Sequence, residues 1–267
     1  MFSCDSPSSE VIDHGVALHV SDVPWALKQM WAPDAAFKNG KYYFYFPAKD
    51  KDEIFRIGVA VSDKPEGPFT PQDEPIKGSF SIDPAVFIDD DGSSYMYFGG
   101  LWGGQLERWQ TGTYVHNAEG PGLGEKALGP RVAKLKDNML EFDGSIKEIT
   151  ILDEQGNALK AANTTKRFFE GVWVHRYKDT YYLSYSTGDT HLLVYATSDN
   201  PLGPFTYRGI ILEPVKGWTT HHSIMEYKGK WYLFHHDAAL SGADNKRSVQ
   251  LKELHYNDDG TIQTITP

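Results

Sequence analysis

Four stretches of this chain are variants of one phrase, and that repetition limits the available folds more than any other feature. They are WAPDAAFKNGKYYFYF from Trp31, DPAVFIDDDGSSYMYF from Asp83, EGVWVHRYKDTYYLSY from Glu170 and THHSIMEYKGKWYLFHH from Thr220. Each passes through a few strand-forming residues, a turn and an aromatic run. The turns are Asn39-Gly40, Asp91-Gly92, Lys178-Asp179 and Lys228-Gly229. Two-residue β-hairpins select such pairs, because residues that accept positive φ match the twist of the flanking strands. The aromatic runs suit a pleated, half-buried surface and read as the second strand of each hairpin.

A third strand follows, clearest at Arg56–Val61 and His191–Ala196. Both lead into nearly the same word, SDKPEGPFT from Ser62 and SDNPLGPFT from Ser198. Two prolines in so short a word exclude a central strand and mark a connection toward an edge strand. Helical periodicity is nearly absent. Sheets of about four strands recurring roughly every 50 residues are the blades of a β-propeller. The opening residues fit as a fragment: Asp5, Pro7 and Gly15 align without gaps to Asp199, Pro201 and Gly209. Residues 1–15 therefore read as the outer end of a blade whose inner strands are missing. The expected architecture is all-β, a single five-bladed propeller domain over 1–267 with an incomplete first blade. The stretch 111–165 reads as an insertion carrying an extra hairpin at Ile149–Leu159.

In a propeller the innermost strand of each blade lines the central channel, and its first residues crowd one mouth. Those residues are Asp34, Asp83, Glu170 and the pair His221-His222. Asp83 and Glu170 each precede an equivalent tyrosine, Tyr95 and Tyr182, by 12 residues, and His221 precedes Tyr232 by 11. An isolated Asp-Pro is ordinarily a turn, and adjacent histidines are ordinarily satisfied core groups. Recurrence at one repeat position points instead to a site. Glu170, flanked by Phe168, Phe169 and Trp173, is expected to be partly desolvated and to hold its proton, as a general acid requires. Paired carboxylates beside aromatic walls suit glycoside hydrolysis. Trp31, Trp102 and Trp173 are candidates for stacking on a sugar, against the alternative of core packing. Arg247, in ADNKRSVQL, is a candidate contact for a sugar hydroxyl, against the alternative of a surface salt bridge.

The net charge of −10 excludes a nucleic-acid partner and an anionic membrane surface, which need a positive footprint. One cysteine, Cys4, excludes an internal disulfide framework and a cysteine-based zinc site. The opening MFSCDSPSSE has neither the basic start nor the apolar stretch of a signal peptide, so as written the chain is expected in the cytoplasm.

On MWAPDAAFKNGKYYFYFPAKD, GSFSIDPAVFIDDDGSSYMYFGG, FFEGVWV and TTHHSI followed by KGKWYLFHHD, the sequence resembles glycoside hydrolase family 43. It looks most like the family's β-xylosidase and α-L-arabinofuranosidase branch. The resemblance implies an inverting enzyme with three acidic residues. Glu170 matches the general acid, and Asp83 matches the aspartate that raises and orients that acid. His221, ahead of His222, matches a histidine beside a central calcium ion (Ca2+). Arg247 matches an arginine that contacts the first sugar. The implied partners are xylo-oligosaccharides or arabinose-substituted xylan fragments. The family's general base is an Asp at the start of the first blade's inner strand, and no residue here matches it. Asp5 and Asp13 fall at the outer end, and Asp34 matches a different motif. The sequence thus reads as lacking roughly 30 to 40 residues of one blade, with impaired turnover as the expected result. Other functions left open are arabinofuranosidase as the main activity and a non-catalytic sugar-binding propeller. A protein-interaction propeller of the Trp-Asp repeat type lacks its signature here.

Overall fold

The computed structural model describes all 267 residues except Ser8, Thr219 and Thr220, so the first residue of the fourth repeat lies outside the described residues. The chain opens with a two-stranded hairpin, β1 (Phe2–Ser3) and β2 (Ile12–Asp13). Sheet I follows, with β3 (Asp34–Lys38), β4 (Lys41–Lys49), β5 (Phe55–Ser62) and β6 (Thr70–Pro71) in that order. Sheet II holds β7 (Ala85–Ile88), β8 (Ser94–Phe98), β9 (Arg131–Leu135) and β10 (Lys147–Glu148). After β11 (Ile151–Leu152), sheet III runs through β12 (Glu170–Tyr177), β13 (Thr180–Ser186), β14 (Leu193–Ser198) and β15 (Phe205–Leu212). Sheet IV is β16 (His222–Tyr227), β17 (Lys230–Asp237) and β18 (Ser248–Leu254).

The innermost strands stand side by side, β3 against β7, β7 against β12, and β12 against β16. The Tyr227 hydroxyl at the end of β16 donates to the Asp5 carbonyl at 2.8 Å, which brings the opening hairpin to sheet IV. Met1, Ala17 and Leu18 pack on the other side against the cluster containing Phe46, whose sheet is I. The architecture is a five-bladed β-propeller in which the first sector is the two-stranded hairpin.

Local sequence accounts for the hairpins. Asn39 and Gly40 have φ of 52° and 75°, and Lys228 and Gly229 have 52° and 76°, the double positive φ of a tight two-residue turn. The repeated proline-containing words lead into β6 and β15 at the outer side of sheets I and III. The stretch 111–165 is more than an insertion. It supplies β9 and β10 to sheet II, and β11, which pairs in parallel with β15 of sheet III. The hairpin at Ile149–Leu159 is present, closed by a bridge between Leu152 and Ala158.

Aromatic runs serve a second purpose beyond strand propensity. Buried tyrosines on second strands tie blades together through their hydroxyls, which need a partner once buried. Tyr45 on β4 donates to Met139 beyond β9 at 2.9 Å, and Tyr97 on β8 donates to Pro201 before β15 at 2.7 Å. Tyr182 on β13 donates to Gly260 beyond sheet IV at 2.7 Å. A Tyr45→Phe variant should be less stable by about 1–2 kcal/mol, measured by urea unfolding, because the Met139 carbonyl loses this donor in the dry interior.

Candidate active site

A cavity of about 830 Å³ opens where the four inner strands begin. Its walls include Trp31, Asp34, Asp83, Trp102, Glu170, Trp173, His221 and Arg247, so the structure gathers every site residue expected from the sequence into one place. Trp218, His235 and His236 line it too and were not anticipated.

The arrangement of the two carboxylates starts in the backbone. On β12, Glu170 pairs with Ser186 but the next pair is Trp173 with Ser184, so β12 carries one extra residue. Such a bulge twists the strand and re-aims a side chain. Gly171 within it has φ of 67°. Its N–H donates across the blades to Asp83 Oδ2 at 3.0 Å. Asp83 itself lies just before β7 with φ of 59°, a left-handed backbone that Asp tolerates better than most residues. Phe168 and Phe169 beneath Glu170 are fully buried, and Glu170 is half-buried between them and the cavity.

Burial dominates the electrostatics. It raises the Asp83 carboxyl from 3.8 to about 7, against the pull of the Gly171 N–H in the other direction. Asp83 Oδ1 faces His221 Nε2 at 3.8 Å. Burial and the nearby Arg247 lower His221, with Glu170 opposing, so this pair is not a full ion pair at neutral pH. The His221 backbone N–H donates to His236 Nε2 at 3.1 Å. His236 is pushed down to about 4, chiefly by burial and then by Arg247 and its histidine neighbours, and stays neutral as an acceptor. Next along the strand, His222 is buried with its Nε2 2.6 Å from Ser184 Oγ, and its Nδ1 has no hydrogen-bond partner. Arg247 precedes β18, and its Nε donates to the Asp244 carbonyl at 2.9 Å.

The four indoles differ. Trp173 is anchored by its ring N–H on the Ile224 carbonyl at 3.1 Å and packs against the core of sheets III and IV. Trp31 stands 4.7 Å from Phe55, and Trp102 stands edge-on to Phe169 at 4.8 Å, both with much of their surface exposed. Trp218 lies beside Trp102, with ring centres 6.4 Å apart. The repeat contained the signal for it: Trp218 precedes His221 by the same three residues by which Trp31 precedes Asp34. The two unanticipated histidines follow from pairing, since His235 on β17 lies opposite His222 on β16.

A calcium ion takes six to eight oxygen ligands. Among the described residues no three His, Cys, Asp or Glu side chains converge on one point. The neutral imidazoles here suit an ion that keeps most of its water and accepts one nitrogen.

Asp34 is the third carboxylate on the cavity. Its Oδ2 accepts the Val86 N–H at 2.6 Å, tying β3 to β7. Burial raises it from 3.8 to about 7, while the bonds from Val86 and Ala35 pull it down. A carboxyl that binds its proton more tightly when folded stabilises the fold fully below its unfolded value, and that contribution is lost as pH rises through the folded one. The buried histidines contribute in the opposite direction, so the Asp34 share is read as a difference. In urea unfolding across pH 4 to 7, the stability of Asp34→Asn relative to the unsubstituted chain should rise with pH, because only the latter loses the Asp34 contribution.

A sequence profile described as glycosyl hydrolases family 43 matches residues 13–262. The chain is 64% identical over 277 residues to xylosidase/arabinosidase 43A of Humicola insolens, covering 100% of this chain and 85% of that protein. It is 57% identical to a xylosidase/arabinosidase of Bacteroides ovatus, covering 98% and 81%. Among solved structures, CoXyl43 is a β-xylosidase/α-arabinofuranosidase from a compost microbial metagenome, in complex with xylotriose in a calcium-free form. It superposes with a TM-score of 0.98 at 61% identity, covering 99% of this chain and 82% of that one. A family 43 enzyme from Xanthomonas citri complexed with xylose gives a TM-score of 0.98 at 54% identity, covering 100% and 80%.

Proposed function

The chain belongs to family 43 of the glycosyl hydrolases, and on that premise we propose that it is an exo-acting, inverting enzyme releasing xylose from β-1,4-xylo-oligosaccharides. It is a glycoside hydrolase of the xylosidase/arabinosidase type. Activity on α-L-arabinofuranosyl groups of xylan fragments belongs to the same proposal. The observation that carries it is the bond from the Gly171 N–H to Asp83, which locks the residue beside Glu170 to a second buried carboxyl on the cavity wall.

In this reading Glu170 is the general acid. It gives its proton to the glycosidic oxygen as the bond to the sugar carbon breaks, and it is reprotonated from solvent. Asp83 orients Glu170 through Gly171, and once charged it opposes loss of the acid's proton. Trp31 and Trp102 offer exposed faces to the sugar, Trp173 forms a fixed wall, and Arg247 meets the hydroxyls of the first sugar. For a calcium ion, His221 is the imidazole nearest Asp83, and His222 Nδ1 is the second nitrogen available. When bound, the ion supplies positive charge that holds the site's geometry.

Inversion also needs a base to take a proton from water on the opposite face of the sugar. Asp34 is committed to the Val86 backbone. Asp5 and Asp13 are exposed at the opening hairpin and do not line this cavity. Our reading is that these 267 residues lack the base, and an acid–base group is typically worth about 10²–10⁴-fold in rate. In assays of this polypeptide on 4-nitrophenyl β-D-xyloside, turnover should be slow and should rise at least tenfold with azide, an anion that attacks without shedding a proton. Glu170→Gln should remove activity on xylobiose, whose leaving group needs the acid. Fast turnover without azide would contradict the missing base. A higher rate on 4-nitrophenyl α-L-arabinofuranoside would contradict the preference for xylose.

A further inference from the structure

Glu107 is a buried carboxylate that the reaction above does not use. It lies in the 3-10 turn Leu106–Trp109 and is 7% exposed. Its Oε2 accepts the backbone N–H of Trp102 at 2.9 Å. Burial raises this carboxyl, while its own backbone N–H, the Trp102 N–H and then Arg108 pull it down. A buried carboxylate is costly to retain where an apolar side chain would pack.

What it holds is an unusual residue. Trp102 has φ of 54°, and a bulky residue stays in the left-handed region only where its surroundings over-determine it. Besides Glu107, the Gln105 N–H donates to the Trp102 carbonyl at 3.0 Å. The Gln105 amide in turn binds sheet I, accepting from the Phe55 N–H at 3.0 Å and donating to the Glu53 carbonyl at 3.0 Å. The indole so placed is 55% exposed on the same cavity as Glu170. It stands at 88° to Phe169, and beside it Trp218 stands at 88° to His191. Two exposed indoles, each buttressed at a right angle by another ring, form one rigid wall.

We infer that Glu107 is a positioning residue: by holding the Trp102 backbone it sets the indole wall of Trp102 and Trp218 against which a xylo-oligosaccharide lies. The inference rests on the glycosidase reading of the cavity. Without an acceptor at Glu107, Trp102 relaxes toward ordinary φ and its ring leaves the wall.

Calorimetric titration of the 267-residue chain with xylotriose tests it, using Glu107→Ala, Glu107→Gln, Trp102→Ala and the Trp102→Ala/Glu107→Ala double variant. Glu107→Ala should weaken binding about tenfold, the scale of one aromatic contact. The double variant should be no weaker than Trp102→Ala, since one group acts through the other. Glu107→Gln, whose amide oxygen still accepts the Trp102 N–H, should stay within about twofold of the unsubstituted chain. Should the alanine variant fail to fold, Glu107→Met, close in size and without an acceptor, takes its place in the same cycle. Unchanged affinity in Glu107→Ala, or additive losses in the double variant, overturns the inference and leaves the glycosidase reading standing. Absence of xylotriose binding by the unsubstituted chain overturns both.

Discussion

The hydrogen bond from the Gly171 N–H to Asp83 is where the fold becomes a site. It joins the innermost strands of two blades at their channel ends, and it forms because a bulge in β12 takes Gly171 out of the regular ladder. A β-bulge at this point changes the direction of Glu170, and the freed N–H meets a carboxylate already enclosed by the neighbouring blade. Both partners are held on unusual backbone, Gly171 at φ 67° and Asp83 at φ 59°. Conformations of that kind survive where the surroundings dictate them, which ties the position of the acid to the integrity of two sheets at once.

The same logic runs around the ring. Asp34 bonds the backbone of the next blade just as Asp83 does, and buried tyrosine hydroxyls repeat the tie farther out. Inner carboxylates and outer hydroxyls are thus both connectors between blades. Burial dominates the channel, holding its histidines neutral and raising the carboxyls of its two aspartates well above their usual range. The indole wall belongs to the same design, since its backbone is secured by a buried Glu107 and by Gln105 reaching to sheet I.

How far the sequence could be read depended on what each residue does. The repeats were legible because hairpin turns and aromatic strands have distinctive chemistry, and the inner-strand position was legible because it recurs. Residues acting through backbone left no such mark: nothing in FFEGVWV announces a bulge, and Glu107 resembles any surface glutamate. Arg131–Leu135 lies in a stretch too long for an ordinary blade connection and therefore reads as part of an insertion, yet it packs as a third strand. Trp218 was legible in the repeat, since it stands ahead of His221 as Trp31 stands ahead of Asp34.

The central claim is that Glu170 is aimed at a bound sugar by the Asp83–Gly171 bond. A crystal structure of the chain soaked with xylotriose tests this most directly. The account predicts a glycosidic oxygen within hydrogen-bond reach of the Glu170 carboxyl, with the Gly171–Asp83 bond intact. A trisaccharide bound well away from Glu170, or a Gly171 N–H turned away from Asp83, would contradict it.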